Sequence, residues 1–330
     1  MSLLQISKEN MLERQMARLG KEFQNSGFDV DINTLTGIKA RVTEQKFYEV
    51  MPSDFLPVEV GQNAWAVDSL TYLSTSTGSD FATGIIETGT NSGRIESADT
   101  QIDSVIVPRK VWAKSTNYNI PELMQAQVSG NWSLVERKEE ARYKNWQLGV
   151  QNVAFLGLGD GSTVKGLLTQ NNVTVNTSVI TKTISSMTST EFNTFLSTVI
   201  PAYYANTGST VLPTHFVMPM ADYLGLGSAV DEAFPLKSRL ERLNEAFKTY
   251  VPEFVIKGLA YADSANNALG VSRYTMYRGN DASSLTMEIP VDYTTTIYDT
   301  INGFNYQSVG YGQFAGVQAY RPKEMMYFDF

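Results

Sequence analysis

The chain has 330 residues, 42% of them apolar, enough for a real core in two domains or one elaborated domain. Its 26 basic and 34 acidic residues leave a formal net charge of -8, which argues against tight, sequence-independent nucleic-acid binding over a broad basic surface. With no cysteine and a single histidine, disulfides, thiolate chemistry, a Ser-His-Asp triad and a multi-histidine metal site are excluded.

Residues 1–50 hold seven basic and seven acidic groups and few apolar anchors. Met11, Met16, Leu19 and Phe23 allow a short amphipathic helix near Asn10–Gln24, and Gly27 to Gly37 reads as irregular. The segment is expected to be an arm that gains order by lying on something else. No apolar run approaches 18 residues and the N-terminus lacks a signal-peptide core, so a soluble protein made inside a cell, with no membrane partner, is expected.

Residues 51–120 read as a long two-stranded excursion. Val58 and Val60, Trp65 and Val67, then Leu70 and Tyr72 alternate with polar residues. Thr75 to Asp99 is rich in Ser, Thr and Gly and forms a polar tip, and strand character returns at Ile102–Val107 and Lys110–Ile120. A lone hairpin is marginal in water, so one this long is expected to rest on a neighbouring molecule. Between Asp54 and Asp103 there are eight acids and one base, Arg94, followed by Arg109, Lys110 and Lys114. Such segregation favours pairing between subunits, and a solvated acidic flap is an equal reading of the charges.

Gly130 to Gly157 predicts a helix of about 25 residues, roughly 37 Å long. Trp132, Val135, Tyr143, Trp146, Val150, Val153 and Leu156 fall on one face, and Glu136–Lys144 is almost wholly charged or polar. Glu140 with Lys144 and Glu139 with Arg142 have ion-pair spacing. This helix is expected to be the spine of the molecule. Gly157, Gly159 and Gly161 then make a turn, and the GLGDGS run is no phosphate cradle, because Lys165 is not followed by Ser or Thr. Val173, Val175, Ile180 and Ile184 suggest short strand-like links.

Thr188 and Glu191 form a capping box ahead of a helix carrying Phe192, Phe195, Leu196 and Val199, which Pro201 is expected to kink or end. A buried strand at Thr214–Met218, a helical turn at Ala221–Leu226, a helix from Pro235 to Phe247 and strands at Phe254–Tyr261, Val271–Arg278 and Leu285–Val291 follow. The alternation indicates an α/β region. Phe304 to Phe330 reads as terminal strands tied into a sheet.

Sites for chemistry are sparse. His215, beside Phe216 and Val217, reads as a satisfied structural side chain. Asp99 with Asp103, or Asp160 with its neighbours, could touch a cation, but neither matches a calcium loop. The expectation is no catalytic residue, no cofactor-binding residue and no metal site.

The order of segments resembles the major capsid proteins of tailed bacteriophages, with the HK97-type fold shared by encapsulin shells. The resemblance is carried by the polar arm, the excursion at about 55–118, the spine and its exit (RKEEARYKNWQLGVQNVAFLGLGDGSTVKGLL, 137–168), the region from about 185 to 295 with its ALGVSRYTMYRGNDASSLTMEIPVDYTT stretch (268–295), and the terminal AGVQAYRPKEMMYFDF (315–330). The helix ending in NVAFLG, joined by a glycine turn to KGLL, is the most telling part. The resemblance implies an α+β, HK97-like fold. It would comprise an N-terminal arm at 1–50, an extended loop at 51–120, a peripheral domain at 121–185 and 296–330 with the spine at 130–157, and an axial domain at 186–295.

It also implies a structural, non-enzymatic subunit of an icosahedral phage head, self-assembling into pentamers and hexamers around double-stranded DNA. A separate scaffolding protein, a portal and a cement or decoration protein would be partners, with assembly in the host cytoplasm and the virion as destination. An encapsulin-like nanocompartment shell is the alternative, and an α/β enzyme a weaker one. The sequence supplies no firm basis for a Lys–Asn crosslink at Lys110 or Lys114.

Overall fold

The chain divides into two units, Met1–Lys46 and Phe47–Phe330. The computed structural model describes residues 46–77, 99–128, 134–159, 161–231 and 234–330. The expected arm helix at Asn10–Gln24, the excursion's polar tip, Trp132 and Asp160 lie outside the described residues.

The second unit is an α+β structure. Its first strands are β1 (Val58–Val60), β2 (Asp68–Thr77) and β3 (Asp99–Asn119). Helix α1 (Ile120–Val128) and the spine, α2 (Leu134–Leu156), follow. Next come β4 (Thr174–Asn176), α3 (Ser189–Asn206), β5 (His215–Pro219), α4 (Met220–Ser228), β6 (Val230–Asp231), β7 (Phe234–Ser238), α5 (Arg239–Tyr250) and β8 (Val255–Leu259). The chain closes with β9 (Arg273–Tyr277), β10 (Leu285–Ile289), β11 (Val291–Thr295), β12 (Asp299–Thr300), β13 (Asn305–Ala315), β14 (Val317–Ala319) and β15 (Met325–Asp329).

One sheet has the order β4-β15-β9-β5-β8, and its inner strands β15, β9 and β5 are buried on both faces. Strand side chains alternate between faces, so each strand feeds two cores. Met325 and Tyr327 of β15, Val217 of β5 and Tyr277 of β9 join the core beneath the spine. Met326, Phe328, Phe216, Met218, Tyr274 and Met276 join a second core, closed by Phe192, Phe195 and Tyr203 of α3 and Leu243 and Phe247 of α5. This explains why MMYF and FVM carry apolar residues at consecutive positions. The terminal strand β15, grouped with the peripheral segment in the sequence reading, pairs with β9 of the 186–295 segment. Conversely, β10 and β11 of that segment pair with β1, β14 and β13.

Several local expectations shift. The described part of the spine starts at Leu134, residues 129–133 lying outside the described residues, and it follows a helix α1 that Asn119 caps by accepting from Glu122 N–H at 2.8 Å. Pro201 neither ends α3 nor precludes its last turn, which continues to Asn206 with Tyr203 buried. Phe234–Ser238 is a strand, not the start of a helix. Helix α5 starts after Ser238, whose hydroxyl accepts from Glu241 N–H while the Glu241 carboxylate accepts from Ser238 N–H. The Thr188–Glu191 box forms as expected. There the Lys182 ammonium, followed by Thr188 N–H and hydroxyl, holds the Glu191 carboxyl down at about 2.

The spine's exit is built on close backbone contact. Gly157 ends the helix at φ 78°, a conformation that favours glycine. The returning KGLL run then satisfies helix carbonyls: Leu167 N–H donates to Ala154 O at 2.8 Å and Leu168 N–H to Phe155 O at 2.9 Å. Gly166 lies so close that a Cβ there would meet Phe155 C at 2.4 Å and Leu156 N at 2.5 Å, both backbone atoms. Gly166→Ala is therefore expected to pry the run off the helix and destabilise the subunit by about 3 kcal/mol or more. Urea unfolding of the unassembled subunit checks this, and an unchanged midpoint would contradict the tight junction.

The lone histidine is structural. His215 is 7% exposed and stacks on Tyr277 with ring centroids 5.3 Å apart. Thr214 Oγ1 accepts from Gly279 N–H at 2.9 Å, so its own proton is free to point at His215 Nδ1, also 2.9 Å away. A neutral, accepting ring suits that position. Burial, then the charge of Lys257, lowers the His215 pKa to about 4. Because the folded value lies below the unfolded one near 6.5, the unfolded chain takes up a proton first as pH falls. This contribution is complete above about pH 6.5 and is lost by about pH 4, roughly 3 kcal/mol in all. Thermal unfolding at pH 7 and pH 4.5 should show a steeper loss in the native chain than in His215→Asn. Parallel pH profiles for the two proteins would contradict this.

Candidate functional site

The excursion's two return strands, expected at Ile102–Val107 and Lys110–Ile120, are one 21-residue strand, β3. Its first half pairs with β2, from Asp68↔Pro108 to Thr77↔Asp99. Its second half pairs with β13, from Ala315↔Arg109 to Asn305↔Asn119. Helix α2 packs on this second half.

The spine meets the sheet through aromatic rings. Trp146 is 5.4 Å from Trp112 and 6.0 Å from Phe314, centroid to centroid. Glycine in β13 makes the room, since a Cβ on Gly312 would lie 2.5 Å from the Trp146 ring. Trp146, Val150 and Val153 are buried as expected, but Tyr143 is exposed and Arg142 is buried in its stead. The Arg142 guanidinium donates to Ser308 O at 2.8 Å and to Tyr293 Oη at 2.8 Å, and it ion-pairs with Glu139. Glu139 also accepts from Tyr298 Oη at 2.6 Å. Burial, and then this bond to Glu139, raises the Tyr298 pKa. The polar stretch Glu136–Lys144 thus does not face outward as a block. Its Glu139–Arg142 pair is part of the packing, while Arg137 pairs with Glu140 and Lys144 with Glu49.

The root of the excursion is clamped. Arg109 donates from Nη2 to Glu288 Oε2 at 2.6 Å and from Nη1 to Asn63 O at 2.6 Å. Ser69 Oγ donates to the other Glu288 oxygen at 3.2 Å. Gln313 holds the turn before β2, accepting from Trp65 N–H at 2.8 Å and donating to Ala66 O at 2.7 Å. Trp65 needs that hold, because it sits at φ 66°, unusual for a bulky side chain, with its ring 5.7 Å from Tyr311.

Strand β3 changes its covered face at this root. In the half paired with β2, Val107 and Arg109 point inward, while Ile106 and its partner Leu70 point out. In the half paired with β13, Trp112 lies under the spine and Val111 and Ala113 point out. One ladder therefore displays two apolar strips on opposite faces. The first has Leu70, Tyr72 and Ile106, 50%, 69% and 62% exposed. The second has Val111, 58% exposed, and Ala113, flanked by Trp65 and Tyr311. Exposed apolar strips on ordered strands mark contact surfaces rather than chemistry. Lys110 and Lys114 are exposed on the spine side of the same strand.

Among the described residues no group of three or more His, Cys, Asp or Glu is placed to hold a metal ion, and no helix is long and apolar enough to cross a membrane.

The family model for major capsid proteins matches residues 82–330. The chain belongs to the major capsid protein family. It is a structural subunit of a capsid, with the HK97-type fold. Among solved structures it is similar to the capsid of Myoviridae phage XM1, at 17% identity and a TM-score of 0.77, over 92% of this chain and 99% of that one. It is also similar to the capsid of a native GTA particle, at 13% identity and a TM-score of 0.58, over 93% and 99% of the two chains. For Gordonia phage Cozz the identity is 10%, the TM-score 0.56 and the coverage 94% and 98%. No curated protein matches.

Sequence reasoning found the excursion and the spine. It missed the Arg109–Glu288 clamp and the Arg142 hub, which join residues 179 and 166 positions apart.

Proposed function

We propose that copies of this chain form the pentamers and hexamers of an icosahedral head that encloses the double-stranded DNA of a tailed phage. The observation that carries the reading is the likeness to the Myoviridae phage XM1 capsid along 92% of this chain and 99% of that one. In this reading residues 1–50 are an arm, 51–120 an extended loop over a neighbour, 121–185 and 296–330 a peripheral domain, and 186–295 an axial domain. The two cores, sharing one sheet, would let the axial and peripheral parts move as one body. A separate scaffolding protein, a portal and a cement protein complete the assembly, which takes place in the host cytoplasm. An acidic chain suits a container for DNA, since it does not trap the phosphate backbone.

The test is to express the chain with its neighbouring head genes and image purified particles by electron microscopy. Closed shells with fivefold vertices and nuclease-protected DNA are expected. Shells loaded with protein and free of DNA would instead make it a compartment shell, and a monomer at high concentration in scaffold-containing lysate would overturn the reading.

A further inference from the structure

We propose that the turn at Asn302–Gly303 is a self-modifying site: the Gly303 main-chain nitrogen attacks the Asn302 side-chain amide, ammonia leaves, and a carboxylate replaces the amide at position 302. This chemistry goes beyond the capsid reading and is independent of it. Asn302 and Gly303 are the single Asn-Gly pair in the chain. They stand at the end of the β12–β13 hairpin, where Ile301 N–H donates to Asn305 O at 2.8 Å and closes the turn. Both residues are exposed. Gly303 sits at φ 73°, and a Cβ built there would meet nothing within 4 Å among the described residues, so water reaches that side of the peptide.

The turn brings together an electrophile, a nucleophile and a proton acceptor. The electrophile is Asn302 Cγ. Its oxygen, Oδ1, accepts from Phe304 N–H at 3.2 Å and from Asn305 N–H at 2.9 Å. Two donors on one oxygen stabilise the negative charge it gains when the carbon is attacked. They also fold the side chain forward over the Gly303 peptide, as in an Asx turn. The nucleophile is Gly303 N, whose N–H donates to Thr300 Oγ1 at 2.6 Å. That hydroxyl gives the amide proton a path to hydroxide in the solvent. The proton leaves Gly303 N, a bond forms from this nitrogen to Cγ, and the carbonyl electron pair moves onto Oδ1. The pair then returns, the Cγ–Nδ2 bond breaks, and Nδ2 departs as ammonia with a proton from water, leaving a succinimide. Water next adds to one succinimide carbonyl and breaks its bond to nitrogen. Opening at Cγ gives aspartate at position 302, whose carboxylate keeps both N–H donors. Opening at the main-chain carbonyl gives the isoaspartyl link. Because the hairpin already holds the reacting groups in place, the folded turn has less entropy to lose on the way to attack.

The test incubates the full-length chain in mildly alkaline heavy-oxygen water, so that only residues converted during the incubation carry the label. Tandem mass spectrometry of the digest then locates the label. The native chain should convert position 302 ahead of its other asparagines, and about tenfold faster than the same chain unfolded in urea. Thr300→Val keeps the Asn-Gly pair and the side-chain shape but removes the acceptor of Gly303 N–H, and it should slow the folded chain about tenfold. Thr300 is exposed, so this substitution should leave the fold intact, and the urea comparison needs no substitution at all. Equal rates in the folded and urea-unfolded chains would mean that the Asn-Gly pair reacts without help from the turn, overturning the proposal. So would a folded Thr300→Val that reacts as fast as the native chain, or a native chain that stays unlabelled at position 302. None of these outcomes depends on particle formation, so the capsid reading stands or falls separately.

Discussion

Trp146→Ala should destabilise the unassembled subunit by about 3–5 kcal/mol, the usual range for emptying a buried aromatic site. The indole is 5% exposed and stands between Trp112, Phe314 and Tyr293. Its ring fills the hollow over Gly312, so nothing on that strand can move in to replace it. The cavity would therefore persist, and the cost should lie toward the upper end of the range. Gly312→Ala attacks the same contact from the other side by overfilling it, and a further loss of about 1–3 kcal/mol is expected there. In the double variant the added methyl occupies part of the vacated space, so the two losses should sum to more than the measured one. Urea unfolding of the single and double variants checks this. A Trp146→Ala midpoint equal to that of the native chain would show that the spine is not anchored at this ring.

Glu288→Ala should be nearly as damaging, at about 3–5 kcal/mol, because it strands a buried guanidinium. The Arg109 side chain is 1% exposed and gives two of its donors to Glu288. Removing both charges together is a different matter. Arg109→Met/Glu288→Leu keeps the volume without an orphaned charge, and its stability should recover most of the loss. Assembly should not recover with it, since Asn63 O loses its donor and the turn bearing Trp65 is left held by Gln313 alone. Thermal unfolding paired with particle yield separates the two effects. Native yields from a stable double variant would show that the clamp serves folding alone.

Much of the fold was legible in the sequence because it depends on local chemistry. The spine's periodicity, the Thr188–Glu191 box, the glycine turn after the helix and the buried strand at Phe216–Met218 all follow from residues within a few positions of one another. Signals of the same kind were present but passed over at Asn119-Ile120-Pro121-Glu122, which caps and opens α1, and at Ser238 to Glu241, which starts α5. Strand β3 was divided in two for a physical reason. Its apolar residues change parity across Val107–Trp112, and a period-two reading breaks where the covered face changes. The burial of Arg142 was not legible in its charged and polar stretch, because a charged side chain on a helix normally faces water. Only the hollow beside Gly310 and the acceptors Ser308 O and Tyr293 Oη make its burial tolerable.

By itself, then, the sequence determined the elements and their order: a long amphipathic helix leaving through glycines onto a KGLL run, a two-stranded excursion before it, capped helices after it, and a chain without the residues for thiol or multi-histidine metal chemistry. The tertiary structure decided which faces those elements bury. It sent alternate residues of one sheet into two cores, tied the excursion to the body through an ion pair between distant residues, and exposed opposite faces of a single strand on either side of Arg109. Spacing along the chain sets which side chains share a face, but only the partner that arrives from elsewhere in the fold determines which face is covered.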